Sequence, residues 1–308
     1  MVVSAGALCS GAAPHIRSVP YSSETTVITF KGDGSLYDTG CNKISIRKFS
    51  IGKPTVFGQT FECRKASATG KLVALYVHGG PMLPAFRNQL NGEQYILLSR
   101  GYKLYEPAYY GDNDRRVTQI HNARFTNNIS LAIEQIASVL AYLQRRHSEV
   151  LVYGDSFGGY LSSYVASRLR PSDRLVLFKA PLADAHTTWI KELPDGFVKP
   201  VGVDGAPAQE VQSQLREASH QLAESLFGPY MSRTVIQNLE HNKAGWTVVI
   251  AGERDRPSGP VYWPKLRKSL AGRGHFVLFK DAGHEGIRNT KERLQFTNAI
   301  WPGASSVR

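Results

Sequence analysis

The run Val150-Leu151-Val152-Tyr153, followed by Gly154-Asp155-Ser156-Phe157-Gly158-Gly159, constrains this chain more than any other stretch. Four apolar residues suit a buried strand and the residues after 159 suit a helix. A sharp, glycine-bounded turn must therefore join the two, with a serine at its apex. Glycines at 154 and 158 let the backbone pass closely enough to hold Ser156 exposed above a sheet edge. Such pentapeptides also arise by chance at strand ends, so this one gains its meaning from its surroundings.

Three further stretches supply them. Val73-Ala74-Leu75-Tyr76-Val77 reads as a buried strand running into His78-Gly79-Gly80-Pro81, a loop that can offer backbone N–H groups to an oxyanion. Trp246 to Ile250 is another apolar strand and delivers Asp255 in the loop Ala251-Gly252-Glu253-Arg254-Asp255. His275 to Phe279 then delivers Asp281-Ala282-Gly283-His284-Glu285-Gly286. Serine, acid and histidine thus follow in that order, each beyond a strand end, which is the arrangement α/β-hydrolases require.

The segments between these motifs alternate strand and helix. Gln89 to Arg100 predicts a helix stopped at Gly101, and Tyr102 to Tyr105 a short strand before Pro107. Ile129, Ile133, Ile136, Leu140 and Leu143 recur at steps of 4, 3, 4 and 3, which puts one apolar stripe on a helix capped by Asn127 or Asn128. Tyr160, Leu161, Tyr164 and Val165 suit a helix after the serine, and Arg174 to Phe178 suits the next buried strand. Repeated strand–helix–strand units imply a mostly parallel, doubly wound sheet with helices on both faces and right-handed crossovers. Thr25–Phe30, Lys43–Phe49 and Thr55–Cys63 are short β-prone runs with Gly and Asn turns. They predict an N-terminal antiparallel β extension over 1–70 within the same domain as a catalytic region at 71–308. Residues 183–245 interrupt the rhythm with a Gly- and Pro-rich loop and a helix carrying Val211, Leu215, Leu222 and Leu226, a position suited either to a lid or to a helix packed beside the sheet.

Composition narrows the function classes. The 308 residues are 42% hydrophobic and 20% charged, as in an ordinary globular domain, and hold no run of about 18 apolar residues that would cross a membrane. The formal charge of +12 comes from scattered Lys and Arg, clustered only at Arg145-Arg146 and within Lys265-Leu266-Arg267-Lys268, which does not make a nucleic-acid surface. Cys9, Cys41 and Cys63 have no metal-ligand spacing and are too few for a disulfide framework, so no metal or cofactor is expected and a reducing, cytoplasmic setting is favoured. The mildly apolar N-terminus has no basic residue before Arg17, so a secretory leader is the minority reading.

From about Val73 onward the chain resembles the catalytic domain of the prolyl oligopeptidase family, most closely its acylaminoacyl-peptidase-like branch. The stretches that carry the resemblance are Tyr76 to Pro81, Ser99-Arg100-Gly101-Tyr102 leading to Glu106-Pro107-Ala108-Tyr109-Tyr110-Gly111, the serine turn, Asp255 with Pro260, and Gly283-His284-Glu285. The resemblance implies Ser156 as nucleophile, Asp255 as acid and His284 as base. It also has departures. The roughly 70 residues before the first core strand are too few for the family's β-propeller. The family's arginine is missing from the Ala108–Gly111 block. Arg256 follows the acid at once, and Pro257 stands where many members carry a substrate-binding arginine. Hydrolysis of an ester or a small-peptide amide is expected, with peptide specificity left open.

Each candidate has a physical role. The N–H groups of Phe157 and Gly80, with Gly79 beside it, suit the oxyanion, whereas Pro81 has no N–H to give. His78 is expected to brace its loop, and Asp155 to make a structural hydrogen bond pointing away from Ser156. Glu253 competes with Asp255, which is preferred for its 29-residue spacing to His284 and for Pro260. Tyr109, Tyr110, Trp189 and Arg256 are candidates for lining a substrate pocket, and His121, His147, His186, His220, His241 and His275 belong to no motif. The alternatives are an acyl transferase, macrocyclase or thioesterase using the same three side chains, and a non-catalytic binding protein on the same fold.

Overall fold

The computed structural model describes residues 25–29, 41, 43–51, 56–63, 72–79, 90–108, 129–182, 234–255, 262–284, 286, 287 and 289–301. Their apolar runs form nine strands: β1 (Thr25–Thr29), β2 (Lys43–Ile51), β3 (Val56–Cys63), β4 (Val73–Val77), β5 (Lys103–Pro107), β6 (Leu151–Asp155), β7 (Arg174–Phe178), β8 (Trp246–Gly252) and β9 (Gly274–Phe279). They make one sheet in the order β1-β2-β3-β5-β4-β6-β7-β8-β9. β1, β2, β3 and β5 pair antiparallel in succession, and every pair from β5 to β9 is parallel. The sheet is therefore mostly parallel with an antiparallel front, as the strand spacing predicts.

Strand alternation divides the core into two layers. Val73, Leu75 and Val77 of β4 point to one face together with Val152, Leu175, Leu177 and Val249. That face is covered by α2 (Ile129–Gln144), α3 (Phe157–Tyr164), α4 (Val235–Glu240) and α5 (Trp263–Leu270). Ala74, Tyr76, Leu151, Tyr153, Val176, Phe178 and Ile250 point to the other face. There they meet α1 (Gly92–Ser99) and α6 (Thr290–Ile300). The Tyr76 and Tyr153 rings stack with centroids 5.1 Å apart, and Phe296 of α6 meets both Tyr153 and Phe178 edge-on.

Local sequence explains the elements that carry the site. The stripe read on α2 is real: Ile136, Leu140 and Leu143 are fully buried, each contributing on the order of 1.5–3 kcal/mol of apolar burial, and Ile133 packs at its edge. Helix α1 begins with a capping box, in which the Asn91 side chain accepts from Gln94 N and the Gln94 side chain accepts from Asn91 N. It ends at Gly101, whose φ of +86° is the left-handed stop that glycine supplies. Behind the sheet, the Asp173 carboxylate gathers the Val150 and Arg170 N–H groups, the Arg170 guanidinium and Gln144 Nε2, fastening the start of β6 to α2.

One expectation needs correction. Cys41 and Cys63 are joined in a disulfide, with Cα atoms 5.7 Å apart. The β2–β3 register places Ile44 opposite Cys63, which brings Cys41, two residues before β2, beside the end of β3. The proximity comes from strand pairing and is invisible in a count of cysteines. The basic stretch Lys265–Lys268 proves to be the outer side of α5, whose Leu266 and Leu270 are buried. Asn127, Asn128 and 183–233, including the helix expected around Val211 to Leu226, lie outside the described residues. From the interval 183–245 the structure describes α4 and the turn into β8.

Candidate active site

The chain leaves β4 for β5 at one side of the sheet and returns past β4 to β6 on the other. A crevice opens at such a reversal beyond the carboxyl ends of the strands, and it is where doubly wound sheets hold their ligands. The residues at those two strand ends are His78-Gly79 after β4 and Ser156 after β6.

Ser156 adopts φ 50° and ψ −120°, a conformation that non-glycine residues rarely tolerate. Hydrogen bonds hold it there. Ser156 N donates to Phe178 O at 2.8 Å, and Gly159 N donates to Ser156 O at 2.9 Å. Close packing forces the same turn. A Cβ on Gly158 would run into the carbonyl oxygens of Val77 and His78, and one on Gly154 would lie 2.6 Å from Gly159 Cα. The glycines are thus required by the closeness of β4, β6 and α3, and the result is a half-buried serine whose hydroxyl faces the loops.

The other two strand ends complete a hydrogen-bonded chain. Ser156 Oγ lies 2.7 Å from His284 Nε2, and His284 Nδ1 lies 2.9 Å from Asp255 Oδ1. The Asp255 side chain is fully buried while the imidazole is 37% exposed, so one end of the chain is dry and the other faces solvent. Burial presses the His284 pKa down, but the hydrogen bond and charge of Asp255, with the charge of Asp155, outweigh it and leave it above its ordinary value; Lys179 opposes them. Glu253 is turned elsewhere, accepting the Asp281 N–H at 3.0 Å. This bond, with Arg254 N to Ala282 O at 2.9 Å, ties the Asp255 loop to the loop carrying His284.

The oxyanion candidates flank the serine. Phe157 is the first residue of α3, and the first N–H groups of a helix have no intrahelical acceptor, so they direct positive charge toward this rim. Gly79 is buried against the serine turn, where an added Cβ would stand 2.9 Å from Ser156 Cβ. His78 is 3% exposed, and its Nδ1 lies 3.1 Å from the Gly79 carbonyl oxygen, the bracing contact expected of it. Gly80, Tyr109, Tyr110, Trp189 and Arg256 lie outside the described residues, as do Pro260, His121, His186 and His220. His275 packs edge-on against Trp246, His241 closes α4, and His147 gives its carbonyl to Arg170, all away from the crevice. Among the described residues no group of His, Cys, Asp and Glu is arranged to hold a metal ion.

Sequence reading passed over Lys179. It follows β7 in a left-handed conformation, is fully buried, donates its N–H to Ile250 O at 2.7 Å, and sets its ammonium 5.1 Å from the centre of the Phe178 ring. Its buried ammonium is the opposing charge felt by His284. Its only signal in the sequence is a lysine straight after an apolar strand.

A mostly parallel sheet of this strand order, with a serine on a strained strand-to-helix turn at its reversal point, is the α/β-hydrolase fold. No protein-family profile matches the chain, and no curated protein does either. Solved structures do match in fold. The acylaminoacyl peptidase of Pyrococcus horikoshii aligns at a TM-score of 0.55 and 14% identity, over 83% of this chain and 40% of its own. A puromycin-hydrolyzing peptidase of Mycobacterium tuberculosis aligns at 0.56 and 15%, over 80% and 36%. An acetyl xylan esterase from Paenibacillus sp. R4 aligns at 0.52 and 17%, over 94% and 90%. The chain thus spans two fifths or less of the two peptidases and nine tenths of the esterase.

Proposed function

We propose that the protein is a serine hydrolase that cleaves a carboxylic ester or amide through an acyl-enzyme. The reading rests on one observation above all, the unbroken hydrogen-bonded chain from Ser156 Oγ through His284 to buried Asp255. A serine hydroxyl is a weak nucleophile at neutral pH, and an imidazole nitrogen 2.7 Å away is positioned to take its proton as the oxygen attacks a carbonyl carbon. Asp255 keeps the Nδ1 proton in place, so that Nε2 is the free base, and it stabilises the imidazolium that forms. The carbonyl oxygen becomes an oxyanion at the rim, where the Phe157 N–H and an N–H of the Gly79-Gly80 loop are the proposed donors. Removing one such donor typically costs about 3 kcal/mol of transition-state stabilisation.

His284 then passes the proton to the departing alcohol or amine, leaving Ser156 acylated. Water enters, gives its proton to Nε2, and attacks the acyl carbon, and the serine leaves with that proton. Fold similarity to both peptidases and an esterase is compatible with either bond. Peptide against ester specificity rests with side chains around the crevice, for which Tyr109, Tyr110, Trp189 and Arg256 remain the proposed candidates.

The test uses a fluorophosphonate probe, which reacts with an activated serine whatever its natural substrate. One equivalent should attach to the wild type at Ser156 and none to Ser156→Ala. Undiminished labelling of that variant, or an unreactive wild type, overturns the proposal.

A further inference from the structure

His284 sits on a ten-residue connection between β9 and α6, and that connection must hold an imidazole on two partners at once. Its upstream side is anchored to the Asp255 loop through Glu253, Arg254 and Gly252. Downstream, the Ile287 N–H donates to Glu93 Oε1 at 2.8 Å across 194 residues of sequence. Gly286 is in contact as well, since a Cβ there would lie 3.0 Å from the same oxygen.

Glu93 is unusual for its type. It is 1% exposed, whereas a carboxylate is rarely buried without strong compensation. It lies in the first turn of α1, where the helix dipole favours a negative group. Its platform is stiff: the neighbouring Asn91 donates to the Tyr76 hydroxyl of β4, and Gln94 donates to Glu106 of β5 at 3.2 Å. The charge of Glu93 is also felt at the Tyr153 hydroxyl, whose pKa is pushed well up by burial first and by Glu93 next.

We propose that Glu93 is a positioning residue for the histidine, a buried clamp that fixes the 286–287 backbone and thereby aims the His284 imidazole between Ser156 and Asp255. His284 is only three residues from the clamped amide, so slack at 287 passes directly into the ring. The same clamp ties α1, the helix that follows the Gly79 loop, to the loop that carries the base. The inference rests on the hydrolase reading for its kinetic consequence and on geometry for the clamp.

The test compares wild type, Glu93→Gln, Glu93→Ala and Gly286→Ala. The glutamine keeps an oxygen for the Ile287 N–H and should retain most of the turnover. With a p-nitrophenyl ester as the substrate, Glu93→Ala should lose about tenfold to a hundredfold in kcat, with KM little changed, because misplacing a catalytic group by ~1 Å costs up to that much. The low-field proton NMR signal of His284 Nδ1–H on Asp255 should persist in Glu93→Gln and broaden or vanish in Glu93→Ala. Gly286→Ala pushes on the clamp from the opposite side and gives the same two readouts if Glu93→Ala does not fold. Wild-type kcat and an unchanged low-field signal in either clamp-breaking variant overturn the inference. A wild type that neither labels nor turns over sinks the hydrolase reading instead, and loss of the signal in Glu93→Ala would still establish the clamp.

Discussion

Asp255→Asn isolates what the buried carboxylate contributes, because the change keeps size and removes charge. In the proposed reaction His284 becomes an imidazolium 2.9 Å from Asp255 Oδ1. Coulomb attraction at that separation is about 6 kcal/mol if the effective dielectric is about 20, the value that suits partly buried protein sites. The acid is dry but the imidazole is 37% exposed, so solvent screening takes some of this away. What remains, together with the lost control of the tautomer, corresponds to a slowing of roughly 10³- to 10⁴-fold. The second-order rate of fluorophosphonate labelling, measured on folded protein of matched circular dichroism, reads this without knowledge of the substrate. Glu253→Gln is the companion variant. Its side chain holds the Asp281 N–H, a bond that a glutamine oxygen also makes, so labelling should stay within about tenfold of wild type. An Asp255→Asn protein that labels at more than a tenth of the wild-type rate, or a larger loss in Glu253→Gln, refutes the assignment of Asp255.

Two further expectations concern pH and stability. The base must be neutral to accept the serine proton, and its pKa is raised chiefly by Asp255 and then by Asp155 against desolvation, so the acid limb of kcat/KM should lie above the ordinary histidine value of ~6.5. Asp155→Asn should move that limb down, and an unmoved or raised limb contradicts the electrostatics. The same shift stabilises the fold at low pH, a contribution fully present below the unfolded histidine pKa and lost as pH rises through the folded one. Asp173→Ala should lower stability by about 1–3 kcal/mol in urea denaturation, because it leaves the buried Val150 N–H without its acceptor and removes the ionic partner of Arg170, whose partly exposed guanidinium keeps the Gln144 and His147 carbonyls. Burial presses the Asp173 pKa up, but its hydrogen bonds hold it below the carboxylate norm, so this stabilisation is present above the unfolded pKa and fades as pH falls through the folded one.

The central strands were readable because each is a short apolar run buried on both faces, and Val73–Val77 and Arg174–Phe178 fall where the sequence places them. The ends were less so. β6 and β8 run through Gly154-Asp155 and Ala251-Gly252, residues with little strand preference that pairing with β7 and β9 draws into the sheet. Helix α6 has no legible stripe, because its few buried apolar side chains stand amid charged ones, whereas α5 carries Trp263, Leu266 and Leu270 at helical spacing within a short, strongly basic segment. That Ser156, Asp255 and His284 stand beyond strand ends could be read from chain order, whereas their contact needed coordinates. The Cys41–Cys63 bridge and the grip of Glu93 on Ile287 depend on strand register and on a partner 194 residues away, and neither leaves a local trace.

The backbone angles of Ser156 set two requirements on that position against each other. Such a conformation costs a side chain on the order of 1–3 kcal/mol, and glycine would shed most of it. Variants retained for heat tolerance alone would therefore drift toward glycine at 156 and fold better as they fell silent. On the proposed reading, thermal hardiness and chemistry are coupled with opposite sign at one residue, so stabilisation is best sought far from the crevice, in the antiparallel front or along the outer side of α5.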